Sequence, residues 1–263
     1  MAVVSSSTRL GVSTTPYHPS ASFRRLLRPT ATSQLCTPPP PHRRIDRASV
    51  AIAETTAEGE LWAAACLRTR SFHEFPPSTF GIQEHRKFLA EREFEALKER
   101  VAGKRIGFWT VSCINATIPL SQLDSSSAAQ ELSLECKYSG NGEERVVVGT
   151  LDLNQCVRLP DEITGKRPEQ QVIGDDFARA YLSNVCVAKE LQRNGIAKEL
   201  VEKSKLVAAE WGISDLYVHV AVDNEPAINL YTKCGFVYES DEPAWQARFL
   251  ERPRRLLLWF GLP

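Results

Sequence analysis

The spacing of apolar residues along the chain marks out a short series of elements. Residues 61–68 (LWAAACLR) form an apolar run that predicts an opening strand. Pro76 and Pro77 break the pattern that follows. Between 82 and 101, Phe88, Leu89, Phe94, Leu97 and Val101 recur at helical spacing among Glu, Lys and Arg, which predicts an amphipathic helix with a solvated charged face. Residues 131–138 and 145–153 are β-rich runs separated by Ser139-Gly140-Asn141-Gly142, the composition of a hairpin turn. Residues 157–176, rich in Pro, Gly and charge, predict a loop.

The second half alternates. A strand over 178–187 precedes a helix over 195–211, whose apolar positions include Ile196, Leu200, Val201, Leu206 and Val207 and which Gly212 is placed to end. A strand over 215–222, a short helix over 225–234, a strand over 236–239 and a last strand over 254–260 complete the chain. Strands in a meander followed by strands alternating with helices predict an α/β fold around a mixed sheet.

Charge changes this picture at the N-terminus. The 32 basic and 32 acidic residues cancel, so no global charge points to nucleic acid or an anionic membrane, and no apolar run reaches the roughly 20 residues of a membrane span. Yet no acid precedes Asp46 and the first lysine is Lys87, leaving a leader rich in Ser, Thr, Ala and Arg. That is the composition of an organelle transit peptide, although a Pro-containing disordered tail has a similar one. Residues 1–55 are expected to be a plastid transit peptide, with the mitochondrion as the alternative destination. The mature chain is expected to begin between 48 and 60, with 56–263 as the folded domain. The seven cysteines include no CxxC pair and no paired His spacing, so a metal site and a disulfide framework are both poorly supported.

The densest chemistry follows the strand that carries Val185, Cys186 and Val187. After a short polar stretch come Gln192, Arg193, Asn194, Gly195, Ile196, Ala197 and Lys198, where a helix opens. Helix N-termini expose unpaired N–H groups and partial positive charge, so such a turn can receive an anion. Gly195 and Ala197 leave the backbone approachable, and Arg193 and Lys198 add positive charge at the rim. A glycine opening a helix is nonetheless a common strand-to-helix turn, and GxGxxG is absent.

A second motif narrows the reading. The stretch 192–197 (QRNGIA) resembles the Q/R-x-x-G-x-G/A signature of the GCN5-related N-acetyltransferase (GNAT) superfamily, and 224–236 (NEPAINLYTKCGF) resembles its N-x-x-A-x-x-x-Y-x-x-x-G-F element. The two stand in the family's order. The resemblance covers 130–263 and extends back to 61, is densest over 178–238, and departs from the common pattern at Lys189 (often Pro) and Ala197 (usually Gly). It implies a twisted mixed sheet of about six to seven strands, the fourth and fifth splayed after a bulge, flanked by about four helices. It also implies acetyl-CoA as co-substrate and no metal. Val185, Cys186 and Val187 would then follow the pantetheine arm, Gln192 to Lys198 would wrap the pyrophosphate, and Asn224 and Tyr231 would meet the cofactor from the other side.

The family reaction is direct attack of an amine on the thioester, so no Cys or Ser nucleophile is needed. Tyr231 matches the position whose hydroxyl protonates the leaving thiolate, although packing beside Ile228 and Phe236 would also explain an aromatic there. The run 217–236 is similar to that of N-terminal protein acetyltransferases, some of which use a His where His219 stands and a Tyr where Tyr181 stands. Strand alternation places Tyr181 and His219 on facing sides of one cleft, though a lone strand His is by default a packed residue. The chain is most like plastid acetyltransferases that modify N-terminal α-amines and lysines of proteins. Its expected partners are therefore proteins or peptides with free amines. A small-molecule amine acetyltransferase and a non-catalytic acetyl-CoA-binding subunit remain alternatives.

Overall fold

The computed structural model describes residues 45–75, 81–104, 110–123, 126–140, 142–156, 159–160 and 179–263. Residues 1–44 of the expected leader, Pro76 and Pro77, and nearly all of the expected 157–176 loop lie outside the described residues.

The chain opens with strand β1 (Ala51–Thr55), then helices α1 (Glu58–Phe72) and α2 (Ile82–Val101), and enters the sheet again as β2 (Val111–Pro119). Helix α3 (Ser127–Cys136) and the short strand β3 (Lys137–Gly140) precede the long β4 (Glu143–Gln155). From there β5 (Arg179–Val187), α4 (Ile196–Glu210), β6 (Asp215–Ala221), α5 (Glu225–Lys233), β7 (Val237–Asp241), α6 (Ala244–Phe249) and β8 (Arg255–Gly261) alternate. Eight strands form one mixed sheet in the order β1-β2-β4-β5-β6-β8-β7, with β3 paired to the first part of β4. Only β5 and β6 run parallel; the other pairings are antiparallel. The expected mixed sheet is present, with eight strands and six helices where six to seven and about four were expected. Because β3 is an added strand, the splayed pair is the fifth and sixth.

Two segments expected as strands are helical. Residues 61–68 lie inside α1, where Leu61, Ala63, Ala64, Ala65, Leu67 and Arg68 are all buried. An apolar run buried all round carries no period to separate strand from helix, and alanine is the strongest helix former. Residues 131–136 belong to α3: Ser126 caps it by accepting from the Ala129 N–H at 3.3 Å, and Ala129, Leu132 and Cys136 bury one face at helical spacing. The hairpin itself is real, between β3 and β4, with Gly142 at φ 79° in the turn. Strands β1 and β2 and helix α6 are not among the elements the apolar pattern predicts. In β2 every residue from Val111 to Ile118 is buried, which erases the alternation a half-buried strand would show.

The folded unit also begins earlier than residue 56. Strand β1 pairs with β2 from Ala51–Thr117 to Thr55–Cys113, and Ile45 is buried in the main core. Acidic residues return near residue 46, and the described residues there already pack against the core.

The helices sandwich the sheet. On one face Gly149 of β4 lies under Leu200 and Ile196 of α4, so closely that a Cβ on Gly149 would meet Leu200 Cδ1 at 2.9 Å. On the other face Thr150 and Asp152 receive Arg68 of α1. Arg68 Nη2 donates to Asp152 Oδ1 at 2.6 Å and to Thr150 Oγ1 at 2.9 Å, and its Nη1 donates to Asp152 Oδ2 at 3.1 Å. Arg100 of α2 adds a second cation 3.2 Å from the same carboxylate, and Glu93 bridges both arginines. Burial alone would raise the Asp152 carboxyl, but Arg68 and Arg100 overcome it and hold the group below the ordinary carboxylate range.

Removing one side of a buried charge cluster leaves the other uncompensated, at a cost of about 3–5 kcal/mol. Asp152→Asn is therefore expected to lower stability by about that amount, read by denaturant unfolding. Since the folded carboxyl titrates below its unfolded value, the wild-type contribution is complete above about pH 4 and is lost as pH falls through the lower folded value. The variant should lack that acid-dependent loss, and an unchanged unfolding midpoint would contradict the assignment.

Candidate active site

Antiparallel pairing of β4 with β5 is interrupted where Thr150 faces Cys186 and Asp152 faces Ser183, so that Asn184 and Val185 together oppose Leu151. This is a β-bulge, and Asn184 occupies the left-handed region at φ 55°. Asparagine tolerates that conformation better than most side chains, and here its Nδ2 donates to Asp152 Oδ2 at 2.8 Å. The bulge is thus tied directly to the buried Arg68 and Arg100 cluster.

Just ahead of the bulge the sheet parts. Parallel pairing of β5 with β6 is confined to Arg179–Asp215, Ala180–Leu216 and Tyr181–Tyr217. After these residues the strands diverge and leave a cleft of about 930 Å³. That is the size range of small-molecule and cofactor sites. Val185, Cys186 and Val187 form part of one wall, Asn224 and Tyr231 part of the opposite one, and the turn from Gln192 to Lys198 closes the end, except that Asn194 does not line it.

The turn has the geometry of an anion receptor. Arg193 (φ 64°) and Gly195 (φ 85°) both lie in the left-handed region and flank Asn194, just before α4 opens at Ile196. Instead of facing the cleft, Asn194 braces the turn: its Nδ2 donates to the carbonyls of Leu191 at 3.1 Å and Gln192 at 3.3 Å. Gln192 Nε2 donates to the Val187 carbonyl at 3.3 Å, joining the turn to the end of β5. Asn224 caps α5 by accepting from the Ala227 N–H at 3.2 Å, which fixes the first turn of that helix at the cleft wall.

The three side chains expected to move protons lie near the point of divergence. Tyr181 Oη is 3.2 Å from His219 Nδ1, as strand alternation required, but neither residue lines the main cleft. Tyr231 reaches the cleft from α5 with its ring packed edge-on against Phe236, centroids 5.5 Å apart. Burial first, and then the neighbouring Tyr181 and Cys234, push the Tyr231 phenol well above its usual range, so it stays protonated at neutral pH. Burial likewise pushes the Cys186 and Cys234 thiols up to about 11, so neither supplies a thiolate nucleophile near neutrality.

Sequence reasoning missed the rest of the wall. Arg70, Ser71 and Phe72 at the end of α1, Arg86 of α2 and Glu131 of α3 all line the cleft. Arg70 ties α1 to the segment after β5 through Glu190 and to α3 through Glu135 at 3.5 Å. The signal available was an arginine-rich end to an apolar run, which reads as helical only once that run is known to be a helix. Among the described residues no group of His, Cys, Asp or Glu is arranged to hold a metal ion.

Comparison with known proteins shows the family of the chain. The profile of the acetyltransferase (GNAT) family matches residues 122–236. The chain is 61% identical over 243 residues to the Arabidopsis thaliana protein named GCN5-related N-acetyltransferase 7, chloroplastic, covering 92% of this chain and 85% of that one. It is 31% identical over 189 residues to GCN5-related N-acetyltransferase 6, chloroplastic, of the same plant, covering 70% of this chain and 60% of the relative. Among solved structures, the PaiA N-acetyltransferase of Thermoplasma acidophilum in complex with coenzyme A aligns with 81% of this chain and 99% of its own, at 12% identity and a TM-score of 0.47. Identity of 61% sustained over most of both sequences leaves one assignment: the chain belongs to the GCN5-related N-acetyltransferase (GNAT) family.

Proposed function

We propose that this N-acetyltransferase transfers the acetyl group of acetyl-CoA to free amines of plastid polypeptides, at N-terminal α-amines, lysine side chains or both. The observation that carries the reading is the convergence of two features: an anion-receptive turn at one end of the cleft and proton-handling side chains near the other. The pantetheine arm would follow the backbone of Val185 and Val187, with the pyrophosphate at Gln192 to Lys198. The thioester would then lie toward the divergence of β5 and β6.

There the amine nitrogen forms a bond to the thioester carbonyl carbon as the C–S bond breaks; one proton leaves nitrogen and one reaches sulfur. Tyr231, kept protonated by burial, is the donor to the departing sulfur. His219, hydrogen-bonded to Tyr181, is the acceptor for the ammonium proton. An α-amine with a pKa of about 8 needs less help than a lysine at about 10.4. A polypeptide acceptor is supported by the resemblance of 217–236 to N-terminal protein acetyltransferases and by the cleft's open rim, where Phe72 is 53% exposed. The relatives named chloroplastic support a plastid location and give none to the mitochondrion. Since Ile45 is buried in the main core, the transit peptide we propose ends before that residue.

Three measurements test this. Gly195→Asp places a carboxylate against the pyrophosphate, at a φ of 85° that side chains rarely adopt, and should abolish acetyl-CoA binding by calorimetry in protein that still folds. Unchanged affinity would remove the turn from the cofactor site. Tyr231→Phe should lower turnover by about 10²-fold with cofactor affinity largely kept, whereas pure packing predicts wild-type rates. In the same assays His219→Gln should harm a lysine acceptor more than an α-amine, with a loss that varies with pH. An equal, pH-independent loss would reduce His219 to a packing residue, and acetylation of small amines but no peptide would overturn the acceptor class. Finally, a reporter fused after residues 1–44 should enter plastids, and retention in the cytosol would dismiss the leader.

A further inference from the structure

The segment from Ile45 to Val50 lies against the turn that precedes α4. The Ile45 N–H donates to Asn194 Oδ1 at 3.3 Å, the same side chain whose amide holds the Leu191 and Gln192 carbonyls. The Ile45 side chain is buried in the main core and Val50 packs against it, so the backbone between them is anchored at both ends. Between these anchors Arg47 reaches over the turn. Its guanidinium lies against Gly195, where an added Cβ would meet Nη2 at 3.1 Å, and it pairs with Glu199.

Glu199 is the acid in the first turn of α4. A carboxylate there suits the helix dipole, but it also opposes the anion that the N-terminus of α4 is built to receive. Arg47 is 63% exposed, and so exposed an ion pair contributes little to folding. Its position beside Gly195 gives it an electrostatic use instead.

We propose that Arg47 is a positioning residue for acetyl-CoA: by neutralising Glu199 beside Gly195, it removes a repulsive charge from the field the cofactor's phosphates meet. The inference rests on the reading of the turn as the pyrophosphate site. It follows that a chain processed beyond Arg47 binds acetyl-CoA more weakly, so the position of leader removal sets cofactor affinity.

The test is a double-mutant cycle in the full chain, with acetyl-CoA as the titrant. Arg47→Ala should raise the KM and Kd for acetyl-CoA about 5-fold at low ionic strength, with kcat and the acceptor KM unchanged, and the gap should narrow in high salt. Glu199→Gln alone, which leaves the Arg47 cation unpaired, should bind at least as tightly as wild type, and Arg47→Ala/Glu199→Gln should recover wild-type affinity, which loss of a merely structural contact would not allow. Unchanged affinity in Arg47→Ala, or a double variant as weak as Arg47→Ala, overturns the inference while the cofactor reading stands. A wild-type chain that binds no acetyl-CoA overturns both.

Discussion

The buried carboxylate of Asp152 is the constraint on which the rest of the site depends. A charge with no access to water is tolerated only if it is paired and fully hydrogen-bonded, and Asp152 meets that demand with groups from three other elements: Arg68 of α1, Arg100 of α2 and Asn184 of β5. Satisfying one carboxylate therefore fixes where two helices cross the sheet and holds a β5 residue in the left-handed conformation. Fully apolar packing at this point would supply comparable stability. It would not offer the Asn184 amide in the bulge a carboxylate to meet.

Much of the site was legible because its determinants are local. A helix opening at a glycine, an Asn three residues before the alanine whose N–H it caps, and alternation along a strand are all set within a few residues. They placed the turn before α4, the start of α5 and the Tyr181–His219 contact where the structure has them. Long-range determinants were not legible. Arg70 meets Glu190 across 120 positions of sequence, and no periodicity announces such a partner. Helix α1 was misread for a related reason: apolar residues on every side of LWAAACLR reflect burial against both α2 and the sheet, which a single sequence does not display. The burial of Ile45 was equally invisible, because composition registers the first acid but not a packed side chain.

The cleft also separates its charges by task. Cationic and dipolar groups gather around Gly195, where phosphates would sit, while Tyr231 and Cys186 line the cleft with a phenol and a thiol that burial keeps neutral. Affinity can thus come from one end and proton transfer from the other, and a change in salt acts mainly on the first. Such a division suits direct transfer, in which the protein never carries the acetyl group itself.

The brevity of the β5–β6 pairing has a mechanical consequence. Among the described residues, three residue pairs form the backbone seam between a plate of β1 to β5 and a second plate of β6, β8 and β7. Backbone amides past Tyr181 on β5 and past Tyr217 on β6 lack each other as partners, and a ligand arm lying in the gap offers them the carbonyls and amides that a neighbouring strand would. A pantetheine arm placed there, as proposed, would act as an extra strand, stitching the two plates into one sheet and slowing amide exchange along both edges of the seam.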